Sequence, residues 1–179
     1  MHNGMTFVDP AAIVRKLELA PGSIVADFGC GAGYFTFEAA KAVGVEGKVY
    51  ALDILTAALE AVMSRMKVLG LSNVETKRAN LEKIGGSGLP PESVDWVILK
   101  DMLFQNNNKD LILQEIFRIL KPGGKIFLME WIPEDVPMGP EEGMRVSEED
   151  TRALIEKIGF HPEHNIPAGD FHYALTARK

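Results

Sequence analysis

The chain has 179 residues, 46% of them hydrophobic and 25% charged, with a net charge of −6. That balance suits one soluble globular domain with a sizeable core, and the acidic surplus without any Lys/Arg run argues against general nucleic-acid binding. A single cysteine excludes an intrachain disulfide framework. With no bilayer-length apolar run and no leader segment, the expected location is the cytoplasm, away from membranes.

In chain order, Asp9-Pro10 reads as an N-cap followed by proline at the first helical position. The helix that follows should turn Ile13, Val14 and Leu17 to the core. Ser23–Phe28 is apolar on both faces, as a central parallel strand is. Tyr34–Val43 is predicted as a helix and Gly47–Leu52 as a strand ending at Asp53. Thr56–Leu69 is predicted as a helix with Thr56 as its cap and Gly70 beyond its end. Strands are expected at Val74–Arg78 and Val94–Leu99, with the Gly/Pro/Ser stretch Gly85–Pro91 as a loop between them. A helix over Lys109–Leu120 stops at Lys121-Pro122-Gly123-Gly124, and a strand follows over Lys125–Met129. Pro133–Gly143 is polar and expected to be mobile. Ser147–Ile158 is a helix whose Ser147 and Asp150 are spaced as in a capping box. Two strands, Gly159–Ile166 and Asp170–Ala177, close the chain.

Strands alternating with helices imply a doubly wound, mostly parallel α/β sheet with helices on both faces. The connection Pro167–Gly169 is too short for a crossover, so the last two of seven strands form an antiparallel hairpin. The organisation expected is a single domain: an N-terminal helix and cover over 1–22, a core over 23–132, a mobile loop over 133–146, and a C-terminal helix and hairpin over 147–179.

The most informative segment is Val25-Ala26-Asp27-Phe28-Gly29-Cys30-Gly31-Ala32-Gly33-Tyr34. A buried strand runs through an acidic residue into three glycines spaced two apart, then into a helix. Glycine lets the backbone lie against a ligand, and the helix N-terminus presents unpaired N–H groups. A dinucleotide site wants G-x-G-x-x-G. Here the third glycine comes one residue early, Tyr34 stands in its place, and Asp27 would repel a pyrophosphate but attract an ammonium. An NAD(P)-dependent oxidoreductase therefore has Asp53 in its favour and the glycine spacing against it. Asp53 lies 20 residues after Gly33, where a carboxylate can accept both hydroxyls of a ribose, although a strand-end Asp is also an ordinary helix cap.

The pattern D-x-G-x-G-x-G resembles motif I of the class I S-adenosylmethionine (SAM) dependent methyltransferases. Leu120-Lys121-Pro122-Gly123-Gly124 resembles the same family's turn before the fifth strand, and the ending His172-Tyr173-Ala174-Leu175 to Lys179 resembles its quinone-biosynthesis C-methyltransferase relatives. The resemblance covers about Asp9 to Lys179 and is closest to small single-domain members of the methyltransferase-domain 11/25/31 type. It implies SAM as cofactor and S-adenosylhomocysteine (SAH) as product. It further implies that Asp27, Gly29, Gly31, Gly33 and Tyr34 run along the amino-acid end of SAM and that Asp53 holds the ribose. Ile54 and Leu55, which follow Asp53, could sandwich the adenine ring, while the resemblance implies that the Leu81 N–H reaches an adenine nitrogen, Asn80 accepts from the exocyclic amine, and the Lys100 carbonyl meets the methionine part. Asn80 stands where the family often has Asp, a mild departure because the amide carbonyl also accepts.

Asp101, Phe104, Gln105, Trp131 and His172 are the candidate acceptor-pocket residues, with His172 either a base or a satisfied structural histidine. Glu130 also ends a strand on the ligand side. No metal site is assigned: no metal-ligand spacing appears, although Asp101 with Asn106–Asn108 leaves a carboxylate site open. The absence of N/D-P-P-Y/F and the single cysteine point away from adenine, glutamine and cytosine C5 targets and from arsenite, which would require several thiols. A small apolar or amphipathic acceptor is expected, under a thin cover made by Met5, Phe7 and Pro133–Met144; an open pocket would equally take a protein side chain. The competing expectation is a SAM/SAH-binding module or partner subunit without its own transferase activity.

Overall fold

The computed structural model describes residues 5–179. Five strands lie parallel, separated by helices except between the third and fourth, which a loop joins: β1 (Ile24–Phe28), β2 (Lys48–Asp53), β3 (Val74–Arg78), β4 (Val94–Lys100) and β5 (Leu120–Trp131). β6 (His161–Asn165) and β7 (His172–Arg178) complete the sheet, whose order is β3-β2-β1-β4-β5-β7-β6. β7 is antiparallel to both of its neighbours, β5 and β6. The chain moves outward from β1 to β3 and then returns to β1's other side with β4. The switch point between β1 and β4 is where ligands bind in open α/β sheets, outside the carboxyl ends of the strands.

Helices α1 (Pro10–Leu17), α2 (Tyr34–Val43) and α3 (Thr56–Val68) pack on one face; α4 (Lys109–Ile119) and α5 (Glu148–Ile158) pack on the other. Strand alternation divides the core accordingly. In β4, Val97 and Leu99 join the α4/α5 side and Ile98 joins the α1/α2 side; in β5, Ile126 and Leu128 oppose Phe127 and Met129. Phe35 and Phe127 meet with ring centroids 5.8 Å apart on the first side, and Phe117 and Phe160 form an edge-to-face pair at 5.1 Å on the second. Truncating Phe127 would leave a cavity worth about 3–5 kcal/mol.

Caps follow the sequence closely. Asp9 accepts from the Ala12 N–H at 3.1 Å, and Ser147 accepts from the Asp150 N–H at 3.0 Å. α3 differs from expectation: Leu55, not Thr56, is its cap, and no side chain bonds there. The upstream carboxylate of Asp53 takes the Leu55 N–H at 2.9 Å, which leaves Thr56 as the first helical residue. β5 is also longer than Lys125–Met129, because Leu120 pairs with Val94 before an irregularity and Trp131 pairs with His172 after it. Among the described residues no helix is long and apolar enough to cross a membrane.

Candidate functional site

The glycine loop leaves β1 with all three glycines at positive φ, +73° at Gly29, +50° at Gly31 and +80° at Gly33, but for different reasons. A side chain on Gly33 would strike Phe37 and Val62, so that glycine serves packing. One on Gly29 would strike Met102. At Gly31 a side chain would meet only open space, so the loop's exposed backbone is there. Asp53 fixes the loop: its Oδ2 accepts from the Gly31 N–H at 3.0 Å while Oδ1 holds Leu55. Each oxygen keeps a further lone pair.

Two cavities meet across this loop. The first, about 540 Å³, is lined by Val8, Pro10, Asp27, Tyr34, Lys100 and Asp101 together with the loop. The second, about 380 Å³, is lined by Asp53, Ile54, Leu55, Asn80, Leu81 and Met102 among others. Gly29, Gly31 and Gln105 line both. Gly33 lines neither, and neither do Phe104, Trp131 or His172. Asn80 makes a local turn, its Oδ1 accepting from the Glu82 N–H at 3.1 Å, and faces the second cavity.

The carboxylates differ in environment. Asp27 is buried, and its Oδ2 accepts from the Thr36 hydroxyl at 2.5 Å. Burial nevertheless pushes its pKa up to about 6, with the Asp53 charge adding to the effect. Asp101 ends β4 in the left-handed region, φ +53°, unusual for a residue with a side chain. Gln105 Nε2 donates to its carbonyl at 2.8 Å. Lys100 Nζ pairs with Asp101 Oδ2, and His172 Nε2 stands 3.3 Å from Oδ1. Although burial acts against ionisation, His172 and Lys100 together hold the Asp101 carboxyl below its ordinary value. Trp131 stacks on His172 with centroids 4.1 Å apart, so these two stand behind Asp101.

Glu130 is the residue whose importance the sequence did not disclose. It is wholly buried, its Oε1 accepts from the Leu103 N–H at 2.6 Å, and Oε2 has no partner. Burial raises its pKa to about 7, and the Asp101 charge adds to this. Its position directly after the apolar run Ile126–Met129, at the ligand-side end of a strand, is the sequence signal, and it says nothing of the missing partner. Arg145 was also missed: its guanidinium donates to the carbonyls of Ile132, Glu134, Met138 and Pro140 and so gathers the segment expected to be a mobile loop. On the opposite rim, Thr6 N–H donates to Asp170 Oδ2 at 2.7 Å and Phe7 stacks on Phe171 at 5.6 Å, which holds Val8 at the first cavity. Among the described residues no group of three or more His, Cys, Asp or Glu is placed to hold a metal ion.

A seven-stranded sheet of this order, with an acid-flanked glycine loop at its switch point, defines a class I methyltransferase fold. The chain belongs to the methyltransferase domain family, whose model matches residues 19–164. A crystal structure of a SAM-dependent methyltransferase from Aquifex aeolicus superposes with a TM-score of 0.88 at 27% identity, covering 96% of this chain and 90% of that one. An arsenite methyltransferase of Halobacterium salinarum is 28% identical over 83% of this chain and 40% of its own length. A ubiquinone/menaquinone biosynthesis C-methyltransferase UbiE of Hydrogenovibrio crunogenus is 29% identical over 81% of this chain and 62% of its own length. The chain thus spans about half the length of the curated relatives it matches.

Proposed function

We propose that this domain transfers the methyl group of SAM, in line, to a nucleophilic atom of a small-molecule acceptor held in the first cavity. The observation that carries this reading is the pair of cavities joined at Gly29 and Gly31, with a buried carboxylate in each. An elongated ligand with an ammonium at one end and a ribose and base at the other fits that arrangement. Asp27, raised to about 6 by burial, is short of a cation, and an ammonium would supply it. Asp53 has lone pairs left for ribose hydroxyls after fixing the loop. Ile54 and Leu55 offer apolar faces to the adenine, the Leu81 N–H a donor to its ring nitrogen, Asn80 an amide to its amine, and Tyr34 and the Lys100 carbonyl border the methionine part.

Bound SAM supplies a methyl group already activated by the sulfonium. The protein's work is therefore alignment and exclusion of water. Asp101 and Gln105 face the acceptor, while Trp131 and His172 support that wall from behind. Met5, Phe7 and residues 133–146 form the cover. The single cysteine, Cys30, leaves arsenite without the thiols it requires, so the relative that acts on arsenite is not the guide to the acceptor.

Calorimetric titration with SAM, SAH and NAD is the test. Binding of SAM and SAH with silence for NAD is expected, and Asp53→Ala should weaken SAM binding at least about 100-fold. Titrating in buffers of different ionisation enthalpy should reveal release of about half a proton per SAM at pH 6, as the ammonium draws the Asp27 pKa down, turning to proton uptake near pH 8, where the free α-amino group is partly neutral and binds as the ammonium. SAM binding without transfer to any acceptor would favour the binding-module alternative. NAD binding in place of SAM would overturn the reading.

A further inference from the structure

The amino-acid end of SAM carries an ammonium and a carboxylate on one carbon. Asp27 is placed for the first; the second wants a cation or a set of N–H donors. Among the described residues that line the two cavities, Lys100 is the only cation. Arg65 lines neither, and its guanidinium lies over the Tyr34 ring, 5.4 Å from the centroid.

Strand register sets Lys100 beside Asp27. In the parallel pair of β1 and β4, Asp27 stands opposite Ile98, so Lys100 is one two-residue step further along β4. Side chains two apart on a strand share a face. Ile98 belongs to the α1/α2 side, and Asp27 bonds to Thr36 of α2 on that side as well. Asp27 and Lys100 therefore project from one face of neighbouring strands, with Cα atoms about 8 Å apart. The Asp27 side chain is short and buried, whereas that of Lys100 is long and 33% exposed. The Lys100 charge opposes the rise of the Asp27 pKa, as a nearby cation should. Lys100 Nζ is itself steadied by Asp101 Oδ2, and among the described residues no second acceptor takes its other two protons.

We propose that Lys100 Nζ donates to the α-carboxylate of SAM, so that Asp27 and Lys100 grip the two ends of the zwitterion from adjacent strands. This rests on the reading above, in which SAM spans the two cavities. Opposite charges on both sides also fix direction, because a reversed amino-acid end would set each charge against its like. Pinned at both groups, that end holds the sulfonium in one orientation toward the acceptor, which is the alignment that in-line transfer requires. The competing donors are the N–H groups at the start of α2, where Tyr34 and Phe35 line the same cavity.

The test is calorimetry at pH 7 with two probes: SAH, and its decarboxylated analogue, which keeps the ammonium and lacks the carboxylate. Wild type should bind SAH at least about 10-fold more tightly, a modest factor because the Lys100 side chain is partly in water. In Lys100→Met, which keeps the aliphatic stem, that preference should shrink to within about twofold. The decarboxylated analogue should bind Lys100→Met as tightly as wild type or more so, since its ammonium no longer meets a second cation beside Asp27. A merely structural role would weaken both probes together and leave the preference intact. Lys100→Arg, which keeps the charge, should keep most of the preference. Because Lys100→Met leaves Asp101 without its cation, the double variant Lys100→Met, Asp101→Asn serves as a second probe of the same point. It removes both charges at once, Asn tolerates the left-handed backbone, and the preference should be lost there too. Equal binding of both probes by wild type overturns the proposal. So does a full preference for SAH in either variant that lacks the charge, which would give the carboxylate to the N–H groups of α2. Binding of neither probe by wild type would instead sink the cofactor reading.

Discussion

Glu115 and Glu130 both lie wholly out of solvent, one on α4 and one at the end of β5, and they are held in opposite ways. Around Glu115 every lone pair finds a donor: the Gly85 N–H at 2.7 Å, the Ser87 N–H and hydroxyl, and a two-pronged Arg118. Those donors overcome desolvation and hold its pKa at about 2. Glu130 has one backbone donor and an idle oxygen, and its pKa rises to about 7. Burial alone does not decide whether a carboxylate stabilises a fold; the supply of donors does. Away from the ligand the chain completes its networks. At the carboxyl ends of the strands it leaves Glu130 and Asp27 incomplete.

The comparison breaks if Glu115→Gln is tolerated. Removing that charge strands Arg118, and urea unfolding at pH 7 should report a loss of about 3–5 kcal/mol. In wild type the contribution of Glu115 is full above its ordinary pKa of 4.5 and fades as pH falls from there toward 2. The site carboxylates have the opposite sign. A raised pKa costs nothing below the unfolded value, and the cost grows to its full size once pH exceeds the folded value. Asp27→Asn should therefore stabilise the protein by about 2–3 kcal/mol at pH 8 and have no such effect at pH 4, while SAM binding is lost in the same variant. Glu130→Gln should stabilise by about 1–3 kcal/mol at pH 8, the amide carbonyl still serving the Leu103 N–H. Ser87→Ala sharpens the picture most gently, costing about 1 kcal/mol as one donor to Glu115 disappears. A destabilised Glu130→Gln at pH 8 would mean that the idle oxygen is in use.

The parts of the fold read well from sequence are those with local causes. The Asp9 cap, the bounds of α2 and β3, and the reversal at Gly123 each depend on residues a few positions apart. The glycine loop was legible as a ligand loop, yet not that Gly33 packs on Phe37 and Val62 while Gly31 alone faces open space. The Thr56 cap was misread because Asp53 reaches the Leu55 N–H from outside the helix. Glu130 depends on Leu103, 27 residues earlier, and Glu115 on a loop 28 to 30 residues earlier. Neither pairing leaves a periodic trace. Arg145 could not be recognised as the hub of residues 132–140, because its partners are backbone carbonyls, which every residue has. In the candidate site, Asp101 and Gln105 line the first cavity, whereas Trp131 and His172 stand one layer back, an arrangement visible only once β7 is laid against β5.

The clasp between Thr6 and Asp170 joins residues 164 positions apart. Val8, two residues beyond Thr6, lines the first cavity, so that wall of the pocket is tied to the β6–β7 connection. A ribosome-bound chain that already holds the glycine loop, Asp53 and residues 79–106 would carry the second cavity while the first still lay open. Contacts of such long sequence separation form late and slowly. The first cavity thus stays unfinished until the β6–β7 hairpin has emerged.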